Sequence, residues 1–249
     1  MKYISLKIAV LFLFFFTNIY SQNSKPNNGI LSEKKTVKTL KTDEPIKIDG
    51  ILDEEIWQKL DVARNFYMFR PGNGTPEPQN KKTEVKVTYT EEAIYIGAYL
   101  YDDDVKSIPM EFAERDNFAQ ADYFIVSLNP NNDSQNDVLF FVFSTGGQAD
   151  AKTTNQGNED FSWNAVWESK VKMNEDGWAV EMKIPYAALR FSNQETQVWG
   201  INFVRNLQSV KEAYSWNFID KTKGTYSQYS GLLTGVTKVN TPIRLSFSP

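Results

Sequence analysis

Through most of its length the chain alternates apolar and polar positions in short runs, the period of strands that bury one face. Glu84-Val85-Lys86-Val87-Thr88-Tyr89 alternates, and Thr90-Glu91-Glu92 turns it into Ala93-Ile94-Tyr95-Ile96-Gly97-Ala98-Tyr99-Leu100-Tyr101. On that second run Ile94, Ile96, Ala98 and Leu100 share one face, while Tyr95, Tyr99 and Tyr101 share the other. Apolar cover on both faces predicts a strand central to a sandwich. Residues 123–128 and 138–143 predict two more strands, parted by the turn cluster Asn129-Pro130-Asn131-Asn132-Asp133-Ser134. The clearest hairpin runs over 165–184, with Asn174-Glu175-Asp176-Gly177 as its turn and Trp178, Val180, Met182 and Ile184 alternating on the return. Pro185 ends that strand, and Tyr186-Ala187-Ala188-Leu189 suits one helical turn. Residues 199–204, 213–217 and 231–233 complete the set. Roughly ten short strands, with turn signals about every 8 to 12 residues, predict an all-β fold: an antiparallel β-sandwich of immunoglobulin-like or jelly-roll-like kind.

Ahead of the strands lies a different local pattern. Ile46 and Ile48 alternate with polar residues, Asp49-Gly50 supplies a turn, and Asp53 stands where an N-cap would. Glu54 and Glu55 then fall in the first turn of a short N-terminal helix, with Ile56 and Trp57 placed to pin it to a sheet. Pro71, Pro76 and Pro78 with Gly72 and Gly74 mark 66–82 as a long loop. The Asn-, Ser- and Lys-rich stretch before Pro45 has no apolar period, so residues 22–44 read as a flexible leader. The sandwich is expected to span 45–238.

The two ends carry their own signals. Ile8 to Phe16 is an unbroken apolar run behind Lys2 and Lys7. A bilayer span takes about 20 such residues, so residues 1–21 read as a signal peptide, cleaved after Ser21. The chain is accordingly expected to be exported: periplasmic, outer-membrane-associated or secreted. The tail 239–249 alternates Ile243, Leu245 and Phe247, as a first strand of a membrane barrel would.

Composition narrows the chemistry. There is no cysteine, so no disulfide staples the fold, and the remaining ~225 residues are enough to bury a core without one. There is no histidine either, which excludes Ser-His-Asp and Cys-His nucleophiles and argues against zinc and haem. A net charge of -4 argues against nucleic acid, which calls for a clustered basic surface. Asp102-Asp103-Asp104 after a strand offers hard oxygens to a structural calcium, with Asp102 and Asp104 as ligands; Asp133, Asp137 and Asp150 offer the same chemistry. Glycoside hydrolysis needs two carboxylates roughly 5 to 9.5 Å apart, a criterion that some pair among 31 acidic residues meets by chance.

Four segments in order resemble the family 9 carbohydrate-binding modules. They are the D-G-x-x-D-x-x-x-W pattern of Asp49, Gly50, Asp53 and Trp57, the strand 93–102, the strand Asp122-Tyr123-Phe124-Ile125-Val126-Ser127-Leu128, and Gly177-Trp178-Ala179-Val180-Glu181-Met182-Lys183-Ile184-Pro185. Arg115-Asp116-Asn117, Asp160-Phe161-Ser162-Trp163-Asn164-Ala165-Val166-Trp167 and Leu189-Arg190-Phe191 are similar to a branch of exported Gram-negative proteins. In that branch such a module precedes an outer-membrane β-barrel. The resemblance implies a module that holds a polysaccharide or oligosaccharide by aromatic stacking and hydrogen bonds, in support of polysaccharide breakdown or uptake. Two alternatives stay open: a non-sugar interaction domain serving an outer-membrane barrel, and a carboxylate-dependent hydrolase of O-glycosyl bonds.

In the family a sugar end sits between two Trp rings. At the first of those places this chain has Phe118, at the second Tyr226 and Tyr229. A family Glu is replaced by Ile125 and a family Arg by a residue near Phe141. Trp57, Trp167, Trp178, Trp199 and Trp216 fall in strand or lid patterns and are expected in the core. Trp163, in the loop after Asp160, is the Trp expected to act as a binding platform. The ligand-binding residues expected from sequence are therefore Phe118, Trp163, Tyr226 and Tyr229.

Overall fold

A computed structural model describes residues 33–72, 74–153, 157–220 and 222–240. The segments expected as a signal peptide and as the first part of the leader, and residues 241–249 of the tail expected to resemble a barrel strand, lie outside the described residues. The elements are β1 Thr36–Lys38, β2 Leu40–Lys41, α1 Ile56–Lys59, β3 Tyr67–Arg70, β4 Thr83–Tyr89, β5 Ala93–Tyr101, β6 Tyr123–Asn129, β7 Val138–Phe143, β8 Gln148–Thr153, β9 Glu159–Asp160, β10 Glu168–Asn174, β11 Gly177–Pro185, β12 Thr196–Leu207, β13 Glu212–Ser215 and β14 Gly231–Thr237. They form two sheets. The larger has nine strands in the order β1-β14-β12-β6-β7-β8-β9, with β13 also on β12 and β3 on β13. The smaller runs β10-β11-β5-β4-β2.

The sandwich follows from side-chain alternation. Ile94, Ile96, Ala98 and Leu100 of β5 and Trp178, Val180, Met182 and Ile184 of β11 point inward, with Met182 directly opposite Ile96. From the other sheet Phe124, Val126 and Leu128 of β6 and Ile201 and Phe203 of β12 meet them. Phe124 and Phe203 stack at 6.2 Å between ring centroids. Trp167, Trp178, Trp199 and Trp216 lie in this core, as their strand positions predict. The β10–β11 hairpin turns at Asn174 and Gly177, and Gly177 is held at φ +147 within 2.2 Å of where a Cβ would strike the Leu100 carbonyl oxygen. No side chain fits there.

Three local expectations change. Residues 36–41, expected as leader, are strands: β1 pairs parallel with β14 of the larger sheet and β2 parallel with β4 of the smaller. Thr39 sits between them, its N–H donating to the Thr234 carbonyl (2.8 Å) and its hydroxyl to the Val87 carbonyl (2.7 Å). Val37 and Thr39 are buried while Lys38 is exposed, so a two-position alternation was hidden among lysines. The segment clasps both sheets at one edge, and the pairing is otherwise antiparallel.

Secondly, α1 begins after Glu55, and Asp53 does not cap it. Glu54 does the fastening instead: its carboxylate accepts from the Trp57 indole N–H (2.9 Å) and the Lys47 backbone N–H (2.9 Å). Ile56, Trp57 and Leu60 pack with Ala93 and Tyr95 on the outer face of the smaller sheet. Finally, the Pro- and Gly-rich loop contains β3, and the stretch around 148–160 contains β8 and β9.

Between the sheets lies a buried charge knot. Arg205 of β12 is fully buried; it donates to the Lys81 carbonyl at 2.7 Å and lies 3.4 Å from a carboxylate oxygen of Asp102. Lys81 Nζ reaches the other oxygen of Asp102 at 2.5 Å.

Candidate binding site

The larger sheet has a second apolar face. Because successive side chains alternate, Ile125, Leu139, Phe141, Phe143, Ala149, Ala151 and Val204 point away from the core and gather into a cluster of their own. These side chains are themselves buried, so the face is a second, smaller core covered from the solvent side. Small residues at Ala149 and Ala151 flatten its floor, and aromatic rings from the loops stand over it.

Phe118 is one of those rings. It is 47% exposed, and Tyr123, Phe141, Phe143 and Phe161 surround it edge-to-face at 5.2 to 5.8 Å. Tyr226 is the other, 39% exposed and edge-on to Phe69 at 6.1 Å. The turn that carries it is anchored to the sheet: the Tyr229 carbonyl accepts from Asn202 (3.2 Å) and Asn217 (2.7 Å), and the Ser227 hydroxyl pairs with that of Thr153 (3.3 Å). Tyr229 itself turns its hydroxyl onto the Lys223 carbonyl and packs against the outer cluster, so its ring supports the turn.

Beside Tyr226 lies a recess of about 70 Å³, floored by Ile125, Leu139 and Val204 and edged by Tyr226, Arg70, Glu159 and Asn202. Phe118 stands on the same outer face, next to Tyr123 and Phe141, and is not part of its lining. Ile125 and Phe141 are directly opposed across β6 and β7, so the two apolar positions lie side by side on this outer face. Charge enters from elsewhere. Arg70, from β3, lies beside the Tyr123 hydroxyl and attracts Glu159, from β9. Glu159 keeps an exposed flank, yet crowding by its neighbours holds its carboxyl above the ordinary range, with Arg70 pulling it back down. Neither residue stood out in the sequence, since Arg70 ends and Glu159 begins a short edge strand inside a stretch rich in turn residues. The Tyr67-Met68-Phe69-Arg70 alternation ahead of Pro71 was the available signal for Arg70.

Trp163 is placed apart. It packs edge-on against Phe140 at 6.0 Å and lines a second, larger cleft of about 500 Å³. The Lys152 ammonium lies 4.8 Å from its ring centroid, so a sugar stacking there would have to displace a cation. Of the four ring residues expected from sequence, Tyr226 lines the recess, Phe118 stands on the same outer face beside Tyr123 and Phe141, Tyr229 packs against the outer cluster and Trp163 lines the other cleft.

The loop joining the two clefts is held by a buried carboxylate. Asp150 accepts from Arg115, from the Trp167 indole N–H (3.0 Å) and from the Ala165 backbone N–H (2.8 Å). Arg115 also donates to Gln148 Oε1 (2.7 Å) and the Ala165 carbonyl (3.0 Å). The segment 160–167 is thus tied at its end, placing Phe161 on the outer cluster and Trp163 against the core.

Most of the carboxylates considered as calcium ligands accept from protein donors. Asp102 holds Lys81 and Arg205, whereas Asp104 accepts from Ser107 through its backbone carbonyl only. Asp137 accepts from Ser127 (2.8 Å) and Asn129 (2.9 Å), and Asp133 from Asn129 and Asn136. Among the described residues no group of three or more acidic side chains gathers as a cation site would need. At Asp102 the neighbouring cations are side chains.

Residues 48–230 match the family model described as "Carbohydrate family 9 binding domain-like". Solved structures agree in fold. A family 9 carbohydrate-binding module from Caldicellulosiruptor kristjanssonii, in complex with cellotriose, superposes with a TM-score of 0.59 at 16% identity, covering 86% of this chain and 100% of that one. The same organism's module in complex with glucose gives a TM-score of 0.57 at 16% identity, covering 84% and 100%. A candidate carbohydrate-binding protein from Bacteroides uniformis gives a TM-score of 0.65 at 10% identity, covering 82% and 100%. No curated protein sequence matches the chain.

Proposed function

The chain belongs to the carbohydrate family 9 binding-domain-like family, and on that premise we propose that it is an exported glycan-binding module whose ligand sits in the recess at Tyr226 and extends over the same outer face to Phe118. The observation that carries this reading is the recess itself: the half-exposed Tyr226 ring stands at an apolar floor edged by Arg70, Glu159 and Asn202, and a second half-exposed ring, Phe118, lies on the same outer face. A sugar ring has an apolar C–H face that suits an aromatic surface and hydroxyls that need donors and acceptors. Arg70 offers donors, Glu159 acceptors, and the rings offer the stacking surface. Similarity to modules described in complex with cellotriose and glucose supports a neutral sugar, or the end of a neutral oligosaccharide.

Binding is favoured over hydrolysis by the make-up of the recess. Among the described residues lining it, Glu159 is the one carboxylate, whereas glycosidases place two across the scissile bond. The recess is also shallow, which fits docking one end or edge of a chain. Supporting polysaccharide breakdown or uptake at the cell surface is the role this reading carries. A glycan array probed with the mature chain tests it: retention of neutral oligosaccharides is expected, and a blank array across neutral glycans would favour an interaction domain without sugar affinity.

A further inference from the structure

The larger cleft takes no part in the reading above, and its chemistry differs from that of the recess. Its rim carries Val166, 88% exposed, and its lining presents Lys152, Arg190, Asn131 and Asn164. Trp163 does not offer Lys152 a bare stacking partner so much as a seat: an ammonium over an indole face is fixed in place by the ring quadrupole. The one carboxylate among the described lining residues is Asp137, which is buried with both oxygens committed, one to the Ser127 hydroxyl and one to the Asn129 amide. Asp160, directly opposite Lys152 across β8 and β9, gives its Oδ1 to the backbone N–H (3.0 Å) and hydroxyl (2.6 Å) of Ser162 and still feels the Lys152 charge, so Lys152 is already partnered. The cleft therefore presents Arg190 as its principal cation, Lys152 as a second, partnered one, and two amides around about 500 Å³, with an apolar side chain at the lip.

We propose that the cleft beside Trp163 is a second glycan site and that it takes a sugar bearing a carboxylate, a uronate residue. Arg190 supplies the planar fork that pairs with a carboxylate through two parallel hydrogen bonds, and Lys152 a point charge held at a fixed place. Asn131 and Asn164 are suited to sugar hydroxyls, and Val166 to a C–H face. The assignment rests on the module being a glycan binder and adds that an acidic sugar has its own seat, separate from the neutral one.

Calorimetry on the mature chain tests this with trigalacturonate, its carboxyl-reduced neutral counterpart and a sulfated trisaccharide. Trigalacturonate is expected to bind, at least about tenfold more tightly than the reduced form, and to weaken as salt rises. Arg190→Gln, a change at an exposed residue, is expected to weaken trigalacturonate about tenfold and leave neutral glycans in the recess unchanged; Lys152→Gln should act in the same direction. Equal binding of the acidic and reduced forms, or indifference to both substitutions, overturns the proposal. A sulfated ligand bound more tightly than the uronate overturns the carboxylate assignment. Should neutral glycans fail to bind while trigalacturonate binds through Arg190, the recess reading falls and this one stands.

Discussion

One carboxylate oxygen of Glu181, Oε2, accepts hydrogen bonds from the backbone N–H groups of both Asp49 (3.0 Å) and Gly50 (2.8 Å). Two segments that mark the family, the Asp-Gly turn and the strand ending at Pro185, are thus fastened to each other through a single buried side chain. Gly50 sits at φ +84, where a Cβ would come within 3.0 Å of the backbone of Val171 and Lys172. The turn is glycine because the backbone must lie against β10 to reach Glu181.

Glu181→Ala leaves the buried Gly50 N–H without its acceptor and the Asp49 N–H with the Lys47 carbonyl alone (3.0 Å), and should cost about 1–3 kcal/mol, read as a lower denaturant midpoint. Glu181→Gln keeps an acceptor and should lose less. Burial pushes the Glu181 carboxyl up to about 7 from 4.5, against the pull of the two backbone N–H groups. A carboxyl raised in the folded state stabilises fully below about 4.5 and loses that contribution as pH rises through about 7. The slope of stability against pH between those values should therefore flatten in Glu181→Gln; an unchanged slope would show that other groups set it.

Gly97 lies under the lid. A Cβ there would meet Leu52 Cδ2 at 2.7 Å and the Trp57 ring at 3.0 Å. Gly97→Val should lift α1 from the sheet and cost about 1–3 kcal/mol or more, with faster hydrogen exchange at residues 46–60. Glycan binding should survive in the folded fraction, because this lid and the recess lie on opposite outer faces of the sandwich.

Arg205 is the cation of the knot between the sheets. Arg205→Met leaves Asp102 facing Lys81 alone and should cost about 3–5 kcal/mol, the usual penalty for removing one partner of a buried pair. Asp122, near the same arginine, is pushed up to about 6 by burial. Losing Arg205 should raise it further, which side-chain NMR titration of that carboxyl would detect.

Arg115→Ala should loosen the 160–167 segment without unfolding the sandwich, since Arg115 is itself partly exposed. Increased hydrogen exchange confined to that segment is expected, with altered emission from Trp163 and Trp167. Both clefts should weaken together, because Phe161 and Trp163 ride on the same loop.

The scaffold was legible where strands are long and alternate cleanly. The faces of β5 and the β10–β11 hairpin emerge from periodicity alone, and the buried Trp residues from their strand positions. Short edge strands were not legible, because two to four residues carry little period: β1 and β2 read as leader, β3 as loop and β9 not at all; β8, six residues long but with only Ala149 and Ala151 as apolar positions, was not read either. The site suffered for the same reason. Phe118 and Tyr226 were identifiable through the family pattern, but Arg70 and Glu159 come from β3 and β9, and only tertiary pairing brings them over Ile125. Trp163 was picked out as a platform from loop position, whereas its ring face is occupied by Lys152.

The most direct test of the recess is calorimetric titration of the mature chain with the best neutral oligosaccharide from an array, against Tyr226→Ala and Phe118→Ala. Both rings are half exposed, so neither substitution should impair folding, which thermal denaturation would check. The account predicts that each substitution weakens binding at least about tenfold, some 1.4 kcal/mol, while Trp163→Ala leaves it unchanged. Binding of the neutral glycan that survives both ring substitutions at full affinity would contradict it.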